Sequence, residues 1–103
     1  MGNFQTIASV DQVPPGTLRV FRLKGKRLAV SHVDGAFYAI DDVCTHDDGP
    51  LGEGALKGYE VECPRHGARF NVRTGAALTM PAVVPVKAYR VRVDGTHIQV
   101  ELP

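Results

Sequence analysis

Tryptophan is absent from this 103-residue chain, and aromatic residues of any kind make up only 7% of it. Its core must therefore be built without the usual large side chains. Charge of one sign is lacking too: 12 Lys and Arg stand against 11 Asp and Glu, a formal +1. A dedicated nucleic-acid binder normally shows a basic surplus, so none is expected here. No run approaches the ~20 apolar residues of a membrane helix. The first residues, Met1-Gly2-Asn3-Phe4-Gln5, have neither the basic nor the apolar stretch of a secretory signal. The expectation is a cytoplasmic protein with no membrane partner. Cysteine is scarce as well, with only Cys44 and Cys63 present. In a reducing compartment two cysteines are not expected to form a structural disulfide, and each has a histidine two or three residues later, which points to metal.

Turn-forming residues are plentiful, with 11 glycines and 7 prolines. The length supports one small domain. Short stretches of alternating or β-branched residues are punctuated by turn signals, the pattern of an all-β domain with almost no helix. Phe4 to Val10 reads as a first strand, ended by Val13-Pro14-Pro15-Gly16. Thr17 to Leu23 and Arg27 to Val33 read as a hairpin across Lys24-Gly25-Lys26. A second hairpin turns at Asp34-Gly35, a pair suited to a primed turn because both residues tolerate positive φ. In a third, Tyr89, Val91 and Val93 alternate with arginines, Asp94-Gly95 turns the chain, and Ile98, Val100 and Leu102 alternate with polar residues. That hairpin should cover a core on one face only.

The middle of the chain differs. It holds both cysteines and more than half of the glycines, and its strand signal shrinks to Tyr59–Glu62 and Arg69–Asn71. It reads as loops inserted between outer strands, where function concentrates. Asp41 to Glu62 contains seven acidic residues against Lys57 alone, a formal −6, while the rest of the chain carries a formal +7. Asp41, Asp42, Asp47 and Asp48 are expected to form an acidic docking surface that steers a basic partner.

The chemistry sits in Cys44-Thr45-His46 and Cys63-Pro64-Arg65-His66-Gly67, a C-x-H and a C-x-x-H separated by sixteen residues. Two thiolates and two imidazoles form a four-ligand set. A C-x-H pair on an extended loop splays its side chains apart, and a C-x-x-H turn closed by Pro and Gly can do the same. Each loop then shares its ligands between two ions: the cysteines could hold one iron and the histidines a second, with inorganic sulfides between. A Cys2His2 zinc site in an interaction module is the competing reading, although structural zinc pairs normally come as C-x₂₋₄-C and H-x₃₋₅-H. His32 and His97 read as ordinary strand residues.

These residues resemble the Rieske [2Fe–2S] proteins, in which two histidines replace two cysteines on one iron. The resemblance covers nearly the whole chain. Cys44-Thr45-His46 with Pro50-Leu51-Gly52-Glu53-Gly54 resembles the first cluster loop and its exit. Cys63-Pro64-Arg65-His66-Gly67-Ala68-Arg69-Phe70 resembles the second, followed by Thr74-Gly75 and a proline loop at Pro81 and Pro85. It implies a single Rieske domain over 1–103, an antiparallel β sandwich with a small cluster-binding subdomain inserted between outer strands. The basal scaffold would span about 1–40 and 82–103, and the subdomain about 41–81. It also implies one [2Fe–2S] cluster held by Cys44, His46, Cys63 and His66, the cysteines on the buried iron and the histidines on the outer one.

Two departures from the high-potential respiratory members matter. Those carry two further cysteines in a loop-bridging disulfide, where this chain has Gly49 and Arg65. They also place a serine and a tyrosine to donate hydrogen bonds to sulfur, where this chain has Ala68 and Phe70. Fewer hydrogen bonds to sulfur destabilise the reduced, more negative cluster, so a midpoint near the low end of the Rieske range, about −150 mV, is expected. The resemblance is to the ferredoxin components of bacterial ring-hydroxylating dioxygenases. It implies a soluble one-electron carrier, not itself an enzyme and monomeric when free, between a flavin-dependent ferredoxin reductase and a terminal oxygenase. The runner-up is a Rieske-like small subunit of a larger reductase, of the nitrite reductase type.

Overall fold

The structure is a computed structural model that describes residues 3–43, 51–52, 54–64, 67–80 and 84–102. Its strands are β1 (Asn3–Ser9), β2 (Leu18–Leu23), β3 (Lys26–Val33), β4 (Ala36–Asp41), β5 (Ala55–Lys57), β6 (Glu60–Glu62), β7 (Arg69–Asn71), β8 (Ala88–Tyr89), β9 (Val91–Asp94) and β10 (His97–Leu102). They pair antiparallel in three sheets, ordered β1-β10-β9, β2-β3-β4-β8 and β5-β6-β7. Among the described residues the only helical piece is a short 3-10 turn, Val10–Gln12. Among the described residues no helix is long and apolar enough to cross a membrane. The all-β expectation holds.

The hairpin turns follow local chemistry. Lys24 and Gly25 connect β2 to β3 with φ of 53° and 78°, and Asp34 and Gly35 connect β3 to β4 with φ of 51° and 79°. Two consecutive positive φ values give the primed turn whose twist matches the flanking strands. The last hairpin differs from expectation. His97 pairs with Asp94, so the two-residue loop is Gly95-Thr96, not Asp94-Gly95. Gly95, at φ 63°, takes the first central position, which leaves Asp94 free to stay in the ladder. Val93, expected inside, is 48% exposed although its cross-strand partner Ile98 is fully buried, because β9 is the edge of the β1-β10-β9 sheet. The first strand starts at Asn3 and ends at Ser9, with a register shift between Thr6 and Ala8. Such a bulge leaves one residue unpaired, and period-2 alternation does not announce it.

The β2-β3-β4-β8 sheet is the middle layer. Residues of β3 alternate between two cores: Leu28 and Val30 join Ala8, Val13, Ile98, Val100 and Leu102, while Ala29 and Val33 join Leu51, Val61, Cys63, Phe70 and Val72. A strand covered on both faces reads as a continuous apolar run, which is why Leu28-Ala29-Val30 shows no alternation. One face therefore packs on the β1-β10-β9 sheet and the other on the small sheet. Strand β5 was not expected; Ala55-Leu56-Lys57 has no β-branched or aromatic residue, and its place is fixed by backbone pairing of Ala55 with Glu62 and Lys57 with Glu60.

Candidate metal centre

Cys63 follows directly on β6. Its N–H donates to the Ala68 carbonyl at 2.7 Å, and its carbonyl accepts from Gly67 N–H at 3.0 Å. Gly67 closes this turn at φ 76°, where L side chains rarely sit. The turn leaves Cys63 fully buried, with Ala68 and Phe70 also at 0% exposure. Phe70 sits on β7 opposite Val61 of β6. The outer edge of β7 is sealed by the following segment, through Leu78 N–H to the Arg69 carbonyl at 2.8 Å and Arg69 N–H to Thr79 Oγ1 at 2.9 Å.

The exit of the first cysteine segment converges on the same place. Leu51 is fully buried in one apolar cluster with Cys63, Ala68 and Phe70. Gly54 N–H donates to the Leu51 carbonyl at 2.9 Å. A Cβ on Gly54 would collide with the Glu62 carbonyl oxygen, so only glycine permits this approach to the residue before Cys63. Of the four expected ligands, Cys63 is thus placed. Cys44, His46 and His66 lie outside the described residues, as do Thr45, Asp47, Asp48, Gly49, Arg65 and Pro81.

The remaining histidines are on different sheets. His32, in β3, has Nδ1 2.8 Å from the Val13 carbonyl and its ring 4.1 Å from that of Phe37. His97 is exposed at the start of β10.

Of the four residues expected to form an acidic docking surface, Asp41 and Asp42 are instead drawn into contacts within the fold, and Asp47 and Asp48 lie outside the described residues. Asp42 is 4% exposed and accepts from Gly52 N–H at 2.6 Å. Asp41 is half-buried and accepts from the Tyr89 hydroxyl at 2.6 Å. Burial and that hydrogen bond raise the Tyr89 pKa above its ordinary value, so the phenol stays a donor. Glu60 and Glu62 both reach Arg69, at 3.8 and 3.2 Å. Asp41 and Asp42 thus serve contacts inside the fold, while Glu60 and Glu62 form ion pairs at the surface, a division that composition cannot make. Tyr59 likewise donates to Asp34 at 2.9 Å, which raises its pKa, and carries Arg73 4.0 Å above its ring.

A buried thiol beside two converging loops suits a soft metal centre kept away from water. The sequence pattern of the Rieske [2Fe-2S] domain matches residues 3–90. The chain belongs to the Rieske [2Fe–2S] family. Its cofactor is one Rieske-type cluster, which supplies a one-electron acceptor and donor, and the chain is an electron carrier and not a catalyst. It is 38% identical over 91 residues to the ferredoxin component of the naphthalene 1,2-dioxygenase system of Pseudomonas aeruginosa, a match covering 88% of each chain. Among solved structures it is similar to the ferredoxin of carbazole 1,9a-dioxygenase from Nocardioides aromaticivorans IC177, with 40% identity and a TM-score of 0.91 over 95% of this chain and 96% of that one. It is also similar to a chain in the complex of reduced oxygenase and oxidized ferredoxin of carbazole 1,9a-dioxygenase, with 37% identity and a TM-score of 0.87 over 95% of this chain and 92% of that one. The zinc reading of the Cys/His set gives way to the iron–sulfur one.

Proposed function

We propose that this Rieske ferredoxin carries single electrons from a flavin-dependent ferredoxin reductase to the terminal oxygenase of a ring-hydroxylating dioxygenase. Its cluster is held by Cys44 and Cys63 on one iron and His46 and His66 on the other. The observation that carries the ligand set is the convergence of Leu51 and Gly54, just beyond the C-x-H segment, on Cys63 and its neighbour Glu62. Support for the partner comes from the relative whose structure is a complex of an oxygenase with a ferredoxin. The chain acts in the cytoplasm as a free monomer. A scaffold of about residues 1–40 and 82–103 carries a cluster-binding subdomain of about 41–81, in which the β5-β6-β7 sheet falls. The 40% identity to the ferredoxin of a carbazole dioxygenase favours a carrier over a fixed subunit of a larger reductase.

The low potential follows from Ala68 and Phe70. Both lie fully buried beside Cys63, and neither side chain has a polar hydrogen to offer sulfur. A spectroelectrochemical titration should give a one-electron wave at about −150 mV, the low end of the Rieske range. A midpoint in the upper half of that range would contradict this reading. Reduced protein mixed anaerobically with its oxygenase should be reoxidised by one electron per chain. Failure to transfer, or purification only in a tight complex with a large reductase, would favour the subunit reading.

A further inference from the structure

Two residues before Cys44 the chain buries a carboxylate. The Asp42 side chain is 3% exposed. A charge taken out of water is costly unless it is paired and hydrogen-bonded. Here Oδ1 accepts from Gly52 N–H at 2.6 Å, and Oδ2 lies 3.7 Å from Arg27 Nε. The Asp42 backbone is tied to the same residue: its N–H donates to the Arg27 carbonyl at 3.0 Å, and its carbonyl accepts from Arg27 Nη2 at 3.5 Å. Arg27 lies near the start of β3, an inner strand of the middle layer, with its side chain 43% exposed, so Asp42 is anchored to the sheet by both its backbone and its carboxylate. Gly52, ten residues later, is anchored to the same carboxylate.

An independent feature favours this contact. A Cβ on Gly52 would collide with Cγ2 of Val20 and would lie 3.2 Å from Asp42 Oδ1. The amide reaches the carboxylate only because residue 52 has no side chain. The segment between residues 42 and 52, which contains Cys44 and His46, is therefore closed at its base by one short charge-assisted hydrogen bond.

We propose that Asp42 is a positioning residue for the iron–sulfur cluster: by binding Gly52 N–H while paired with Arg27, its carboxylate holds together the two ends of the segment that supplies Cys44 and His46. This rests on the ligand assignment proposed above. Groups that orient metal ligands from outside the coordination shell typically change metal affinity 10–100-fold when removed. The same scale is expected here in cluster retention.

The test uses the holoprotein challenged with excess iron chelator, with loss of visible absorption followed in time. Asp42→Ala should bleach about 10–100-fold faster than wild type and give a broadened electron paramagnetic resonance line when reduced. Asp42→Asn keeps an oxygen acceptor for Gly52 N–H but loses the charge paired with Arg27, and its bleaching rate should fall between those of wild type and Asp42→Ala. Gly52→Ala should match Asp42→Ala, and adding Val20→Ala, which removes the colliding methyl, should slow the loss again. Wild-type bleaching rates in Asp42→Ala and Gly52→Ala would overturn the proposal. So would Asp42→Asn as labile as Asp42→Ala, or no rescue by Val20→Ala. Absence of an iron–sulfur spectrum from the wild-type protein would instead overturn the ligand assignment itself.

Discussion

Replacing Cys63 by serine is expected to yield a folded but nearly colourless protein. The side chains are close in size, and the backbone contacts of residue 63 with Ala68 and Gly67 do not involve sulfur. The chemistry is not equivalent. A thiolate is a soft ligand available near neutral pH, whereas a serine hydroxyl must lose a far more tightly held proton to bind iron. Removing a ligand should cost at least the ~10–100-fold in affinity that loss of a supporting hydrogen bond produces. The new hydroxyl would also sit among Leu51, Ala68 and Phe70 without a partner, at about 1–3 kcal/mol. Iron analysis and the visible spectrum of the purified variant check the outcome. Wild-type iron content would remove Cys63 from the ligand set.

Phe70→Ala is the second large effect, and it acts on the fold. Phe70 is the largest fully buried side chain among the described residues, and it packs in the cluster that joins the middle sheet to the cysteine-bearing loops. Truncating a buried phenylalanine costs about 3–5 kcal/mol, because transfer free energy is lost and a cavity remains. A domain of this size has only about 5–15 kcal/mol in hand. At roughly 4–8 °C per kcal/mol, the melting temperature should fall by ~12 °C or more. Circular dichroism melts of both proteins measure it. A loss below about 1 kcal/mol would show that the cluster can collapse around the gap and that Phe70 is not its keystone.

The parts of this fold that the sequence announces are those decided locally. Lys24-Gly25 and Asp34-Gly35 require positive φ, and both turn the chain where expected. The C-x-H and C-x-x-H spacing points to metal without a coordinate, and the resemblance to Rieske proteins makes that metal iron–sulfur. What depends on distant partners was not legible. Asp42 looks like one more carboxylate in an acidic run until Arg27, fifteen residues earlier, and Gly52, ten later, close around it. The closely spaced glycines at 52 and 54, just after the apolar Leu51, were the available sign that backbone approaches something closely there. Strand β5, Ala55-Leu56-Lys57, carries no β-branched or aromatic residue to announce it, and Gly95-Thr96 displaces the last turn by one residue because glycine alone suffices at its first position.

A cluster with two cysteines on one iron and two histidines on the other is tested most directly by pulsed electron paramagnetic resonance of the reduced protein labelled with ¹⁵N-histidine. Two directly bound nitrogen couplings that change with the label are expected, with His32 and His97 contributing none. A reduced cluster without histidine-nitrogen coupling, or a colourless and diamagnetic metal centre, would contradict it.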